Sequence, residues 1–418
     1  MELPDKIIFE VFSYIPDQFT ISQVCQKFYA ISCELKSFKV NFSSEIDKRE
    51  EVWSESIPPS IFNRVVKGYI KQLDDDEIFS SMVKSDRKIN SLEIAVKSNH
   101  NNSNVKLSFL QNKRLTQFLQ YFGHQITELK ISGLELPSNI SKLLNLMPNL
   151  NNIVFFMVTV QPAVKMYELN FSVLSDLNCI SCCQHVFKMF NFIPSNTLKT
   201  IKISQQEEII YDSVKLFKNQ LSIEEVEVDG SLVHLIDWKH LKLLKIKISS
   251  FNFPLTKYLE YQVELKYLSS PLNQNELNLI CNKLKSLETL NILVNQTLVY
   301  EFSELSKLTS LTSLCVVWAR GNNRTINESL KLFSSKSLIN LELGCNKVKI
   351  LPSTISKLGN SCSSVKFLQM NSNSHSSLVK TIFDSFPCLE SLNFLTQSFQ
   401  INRFEKDSSE GYKVVRSK

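Results

Sequence analysis

Glycine is scarce in this chain: eight residues in 418. That leaves no material for the glycine-rich loops that cradle phosphate groups. The six histidines are scattered. None stands near a serine or cysteine in a nucleophile turn, and no paired carboxylates share a glycine-lined loop, so no hydrolytic constellation is legible. No apolar run approaches membrane-spanning length; the most apolar stretch, residues 153–158, is far too short to cross a bilayer. The N-terminus lacks a secretory h-region and carries Glu2. Ten cysteines follow no disulfide spacing, so reduced thiols and a cytoplasmic or nuclear location are expected. The formal net charge is only +6, and it is mixed: Lys245 and Lys247 stand close to Glu225, Glu227 and Asp229. Nucleic-acid binding calls for a clustered basic stripe with aromatic stacking positions, which is missing. No nucleic-acid partner, membrane partner, cofactor or metal is expected.

One cluster deserves weighing against that expectation. Cys179, Cys182, Cys183 and His185 offer zinc-type donors, but no second pair follows at zinc-site spacing. Cys179 also falls on an apolar core position of the repeat described below, where a small thiol packs like alanine or valine. Cys315, Cys345, Cys362 and Cys388 recur inside repeat units and read the same way.

What the chain does have begins at its start. Pro4 opens a helix where its missing N–H costs nothing, and Asp5 complements the helix dipole. Ile7, Ile8, Val11, Phe12 and Ile15 then recur at helical spacing. Pro16–Asp17 breaks the chain, and Val24, Cys25 and Phe28 begin a second apolar stripe. Two such short helices cannot bury this much apolar surface against each other, so they need a partner surface. The stretch resembles an F-box: Leu3–Pro4 matches the family's opening, and Val24, Cys25 and Phe28 match its Val-Cys-x-x-aromatic signature.

From about Ile89 onward an apolar-x-x-apolar-x-apolar unit repeats. Its leading positions are Ile126, Leu150, Leu174, Leu198, Ile223, Leu243, Leu265, Leu287, Leu311, Leu338, Val365 and Leu389, eleven intervals with a mean near 24 residues. The octads LPSNISKL (136–143) and LPSTISKL (351–358) differ at one position and lie 215 residues apart, nine periods of the same length. The copy LINLELGCNKV, with Asn346 placed to bond turn backbone, and Asn373 at the same offset, resembles the leucine-rich-repeat family. The octads read as short return helices or 3₁₀ turns.

The expected fold class is α/β: an N-terminal helical F-box (1–42), a linker and cap (43–88), a leucine-rich-repeat solenoid with a concave parallel sheet (89–402), and a disordered C-terminal tail (403–418). An F-box joined to leucine-rich repeats resembles the substrate receptors of Skp–cullin–F-box ubiquitin ligases, which are not themselves enzymes. The resemblance implies a Skp adaptor, and through it a cullin, docked on Leu3, Pro4, Ile7, Ile8, Val11, Phe12, Ile15, Val24, Cys25 and Phe28. It also implies a protein substrate on the concave face. On the repeat register that face presents Phe156, Glu225, Glu227, Lys245, Lys247, Tyr267 and Trp318, with large aromatics the strongest interface anchors.

Overall fold

A computed structural model of the chain describes residues 38–43, 89–95, 113–136, 140–160, 169, 171–183, 186, 193–204, 217–249, 255–295, 298–345, 348–372, 378–395, 401–407 and 411–416. The N-terminal helices with their ten adaptor-facing positions, most of the 43–88 segment, His185, Asn346 and Asn373 lie outside these residues. The chain divides into two compact units, Met1–Ser222 and Ile223–Lys418.

In the first unit, strands β1 (Phe38–Ser43), β2 (Ile89–Ala95), β3 (Glu128–Ser132), β5 (Asn152–Phe156), β7 (Asp176–Ile180) and β8 (Thr200–Ser204) pair in parallel in that order. Two short strands, β4 (Glu135–Leu136) and β6 (Thr159–Val160), make a separate parallel pair beside them. In the second unit, β9 (Glu225–Val228), β10 (Lys245–Ile248), β11 (Tyr267–Pro271), β12 (Thr289–Val294), β13 (Ser313–Trp318), β14 (Asn340–Cys345), β15 (Phe367–Ser372) and β16 (Ser391–Leu395) are parallel neighbours in chain order. Between strands the chain returns through short helices such as Gln274–Lys283, Asn323–Lys331 and Pro352–Ser361. One strand and one return segment per unit, stacked in parallel, is the leucine-rich-repeat architecture.

The backbone displays the period directly. The carbonyl following a leading residue accepts two N–H groups from the next coil. Thr127 O takes those of Asn151 and Asn152 at 2.8 and 3.0 Å, and Asn151 O those of Ser175 and Asp176. In the second unit Glu288 O takes Thr312 and Ser313, and Thr312 O takes Ile339 and Asn340. All twelve leading residues are at most 1 % exposed. The residues three positions on, from Leu129 to Leu392, are equally buried. Each such side chain contributes roughly 1.5–3 kcal/mol of transfer free energy, and none can realise it without a neighbouring coil. Both octads end in return helices, Ile140–Leu144 and Pro352–Ser361, the latter opened by Pro352 at its first turn.

Two boundaries differ from the sequence reading. The sheet starts at Phe38, not Ile89: β1 pairs along β2 from Phe38 to Ser43, so the expected division at residue 42 falls inside a strand. Where a disordered tail is expected over 403–418, the described residues form strands. Strand β17 (Ile401–Asp407) runs antiparallel to β16, and β18 (Gly411–Arg416) antiparallel to β17. The pairing satisfies N–H and C=O groups that the outer edge of β16 would otherwise leave unmet.

Two buried glutamines stitch coils together. Gln220 and Gln262 occupy the same place, three residues before a leading position. Gln262 Oε1 accepts the Leu243 N–H at 2.9 Å while its amide donates to the carbonyls of Trp238 and Leu241. Gln220 Oε1 accepts from Thr197 and Leu198, and its amide donates to Pro194. In most other coils the leading N–H is met by its own turn, as Leu287 by Leu284 and Leu311 by Leu308. The glutamines supply that acceptor from the following coil.

Candidate interaction face

Strand residues alternate between buried and partly exposed, as in β12 and β13. The partly exposed set forms one face, in register from strand to strand. In the second unit rows of residues run across it from strand to strand. One passes through Glu225, Lys245, Tyr267, Thr289, Ser313, Asn340 and Phe367; the next through Glu227, Lys247, Ser269, Asn291, Cys315, Glu342 and Gln369.

Glu225, Glu227, Lys245 and Lys247 all stand on this face, as the register predicts, but they answer one another. Lys245 pairs with Glu225 at 3.4 Å, Lys247 with Glu227, and Ser249 donates to Asp229. Lys245 also lies 5.3 Å from the Tyr267 ring centroid. Tyr267 is half-buried and its hydroxyl accepts from Asn291 at 2.8 Å. The acidic and basic positions thus neutralise each other instead of presenting opposed patches to a ligand.

Trp318 is corrected. It is 6 % exposed, packed edge-on against Phe302, which itself lies 4.3 Å from Phe333 between ring centroids. It belongs to the core because it lies seven residues after Leu311, an odd offset that points inward with Leu314 and Val316. In the first unit Phe156 is 40 % exposed at the end of β5, beside Met157, whose φ of 52° turns the chain out of the strand. The face of that unit also carries a Lys130–Glu93 pair at 3.1 Å.

Four face residues of the second unit were passed over in the sequence: Glu342, Phe367, Gln369 and Cys315. Phe367 is 43 % exposed, and Gln369 donates to the Glu342 carboxylate at 2.9 Å. Their even offsets from Leu311, Leu338 and Val365 were the signal for them.

The thiols divide by burial. Burial raises the Cys179 thiol, and a hydrogen bond from Cys179 lowers that of its buried neighbour Cys182. Among the described residues no group of three or more His, Cys, Asp or Glu could hold a metal ion. Burial pushes Cys281 up to about 12 and Cys362 to about 11, and burial plus the Glu342 carboxylate push Cys315 to about 12. Cys388 is exposed, against the expectation that it packs; it sits just before a leading residue, in the solvent-facing turn. Among the described residues no helix is long and apolar enough to cross a membrane.

The F-box domain family matches residues 1–39, the stretch whose Leu-Pro and Val-Cys signatures carry the resemblance. Solved structures similar to the chain include a leucine-rich-repeat protein of Leptospira interrogans, 14 % identical with a TM-score of 0.34, covering 77 % of this chain and 92 % of that one. Another is an internalin of Listeria monocytogenes, 17 % identical with a TM-score of 0.32, covering 74 % of each chain. No curated protein matches the chain. The assignment of leucine-rich repeats rests on the coil geometry itself: the doubled backbone bonds, the buried leading residues and the parallel register.

Proposed function

We propose that this chain is the substrate receptor of a Skp–cullin–F-box ubiquitin ligase. One observation carries the reading: an F-box match at residues 1–39 is followed by a long array of repeats with a parallel sheet face. In this reading Leu3, Pro4, Ile7, Ile8, Val11, Phe12, Ile15, Val24, Cys25 and Phe28 seat the Skp adaptor, which links the chain to a cullin, and the repeat face holds the protein to be ubiquitinated. The chain acts by proximity. Holding cargo on a scaffold shared with a ubiquitin-loaded enzyme replaces a bimolecular encounter by an effectively intramolecular one. No bond is made or broken by this chain. A thioester-forming cysteine needs a lowered pKa and access, and four of the described thiols do not combine the two. Cys281, Cys315 and Cys362 are held protonated instead, and Cys182 is buried.

The test is co-purification of a Skp adaptor with the full chain. Ile7→Asp combined with Val11→Asp places two charges in the docking stripe, and adaptor recovery is expected to fall at least a hundredfold, as when a hot spot is lost. Undiminished recovery by the double variant overturns the reading. Adaptor-independent ubiquitin thioester formation, reversible by reductant, would overturn it in favour of a catalytic cysteine.

A further inference from the structure

The receptor reading leaves the chemistry of the cargo open, and the second unit's face bears on it. A phosphorylated segment brings close to two negative charges and is ordinarily met by an arginine cluster or unpaired lysines. Among the described face positions from β9 to β15 there is no arginine. The two lysines, Lys245 and Lys247, already hold Glu225 and Glu227. A phosphate arriving there would displace those carboxylates and leave them facing it, like charge against like.

The face changes character toward β12–β15. Its twelve strand positions include no lysine or arginine and a single carboxylate, Glu342, surrounded by amides, hydroxyls and apolar groups. In register, Cys315 and Gln369 flank Glu342 on the adjacent strands. Val317 and Phe367 lie on the two diagonals, with Leu293 beside Val317. Neighbouring strands are about 4.8 Å apart, so these side chains share one patch with the carboxylate. Cys315, kept protonated, adds no charge to it. A single half-buried carboxylate, held by the neutral donor Gln369 and with no cation on the surrounding face positions, favours one counter-charge flanked by apolar groups.

We propose that the β12–β15 face takes an unphosphorylated, extended segment of the cargo protein in which one arginine or lysine pairs with Glu342 while its apolar neighbours rest on Leu293, Val317 and Phe367. Ubiquitination of the cargo is then licensed by exposure of that segment and not by a kinase.

The test pans random twelve-residue peptides displayed on phage, and in parallel a synthetic library of phosphoserine peptides, against the full chain. Winning sequences are remade as fluorescent peptides for titration. A consensus of one basic residue between apolar ones is expected. Replacing that basic residue by alanine should weaken binding about tenfold, and the near-isosteric Glu342→Gln should do the same. Phe367→Ala should cost about fivefold, and Lys245→Ala with Lys247→Ala less than twofold. Unchanged thermal midpoints confirm that the variants fold. Enrichment only of phosphopeptides, binding that depends on Lys245 and Lys247, indifference to Glu342→Gln, or no enrichment at all overturns the proposal. Adaptor recovery from the same preparations separates the two readings: its loss with peptide binding intact removes the ligase reading alone, and the reverse removes only this one.

Discussion

Strands β9–β10 and strands β12–β15 lie in one unit, share one register and bury the same offsets, yet their open faces carry different chemistry. On the first pair, five of the six residues at Glu225, Glu227, Asp229, Lys245, Lys247 and Ser249 are charged, with the two lysines held by glutamates across the strands. On the second group Glu342 alone is charged among twelve. The buried side cannot vary in this way, because Val226, Ile246, Leu290, Leu314, Leu341 and Leu368 each have to fill the same slot between coils. The repeat therefore fixes a scaffold on one side of each strand and leaves the other side free to be written independently.

The largest expected effects test the claim that the hidden side is equivalent in both regions. Ile246→Ala in β10 and Leu341→Ala in β14 each empty an inward position that is at most 1 % exposed. Each should destabilise by about 2–5 kcal/mol, read from urea denaturation midpoints. The two costs should agree within roughly 2.3 kcal/mol, the spread of such sites. A near-neutral result at Ile246 would mean that the charged region is held by its ion pairs and not by its core. Next in size is Gln262→Leu, which leaves the Leu243 N–H and the carbonyls of Trp238 and Leu241 unmet in a buried site. A loss of about 1–3 kcal/mol is expected in the same assay.

Much of this was legible before any coordinates. The leading positions from Ile126 to Leu389 all proved buried, because a residue that must close a coil recurs with the coil, and a 24-residue spacing survives even where the consensus asparagine is gone. Trp318 was misread for a local reason. Leu314 to Trp318 is apolar almost throughout, so alternation within it is invisible, and only counting from Leu311 reveals which side chains turn inward. The same counting brings out Glu342 and Phe367. Strands β17 and β18 do not follow the repeat spacing, so the period gives no sign of them, although Gly411–Arg416, GYKVVR, is rich in β-formers. Gln220 and Gln262 gave no local sign at all. Their partners, Leu198 and Leu243, lie 22 and 19 residues earlier, so their role exists only once coils stack.

A smaller effect follows from the raised thiols. Cys281 is fully buried and its thiol is held up at about 12 from an ordinary value of 9.0, chiefly by burial and then by the Glu304 carboxylate. The folded state thus retains a proton that the unfolded chain releases. Stability from this group is fully present below about pH 9 and declines as pH climbs toward 12, at up to roughly 1.4 kcal/mol per pH unit. Cys281→Ala should flatten the fall in thermal midpoint between pH 9 and 11. Equal slopes in the two proteins would show that the thiol is not the titrating group.

The least effect is expected where the face is most charged. Lys247 and Glu227 are both well exposed, so their attraction is screened, and ordering two long side chains offsets part of it. Lys247→Ala and Glu227→Ala, with their combination, should give a coupling below about 1 kcal/mol, shrinking further in 0.5 M salt. Such a pair matters for what it withholds, not for the stability it lends. Glu225→Gln with Glu227→Gln frees both lysines at little cost in stability, so this double variant should gain affinity for phosphoserine peptides that the natural chain ignores. A gain there, with Glu342-dependent binding unchanged, would show that the two regions of the face are independent and that neutralisation is what keeps phosphate off the first. A coupling above 2 kcal/mol would instead make the ladder part of the scaffold, and the contrast between the regions would no longer be one of surface chemistry alone.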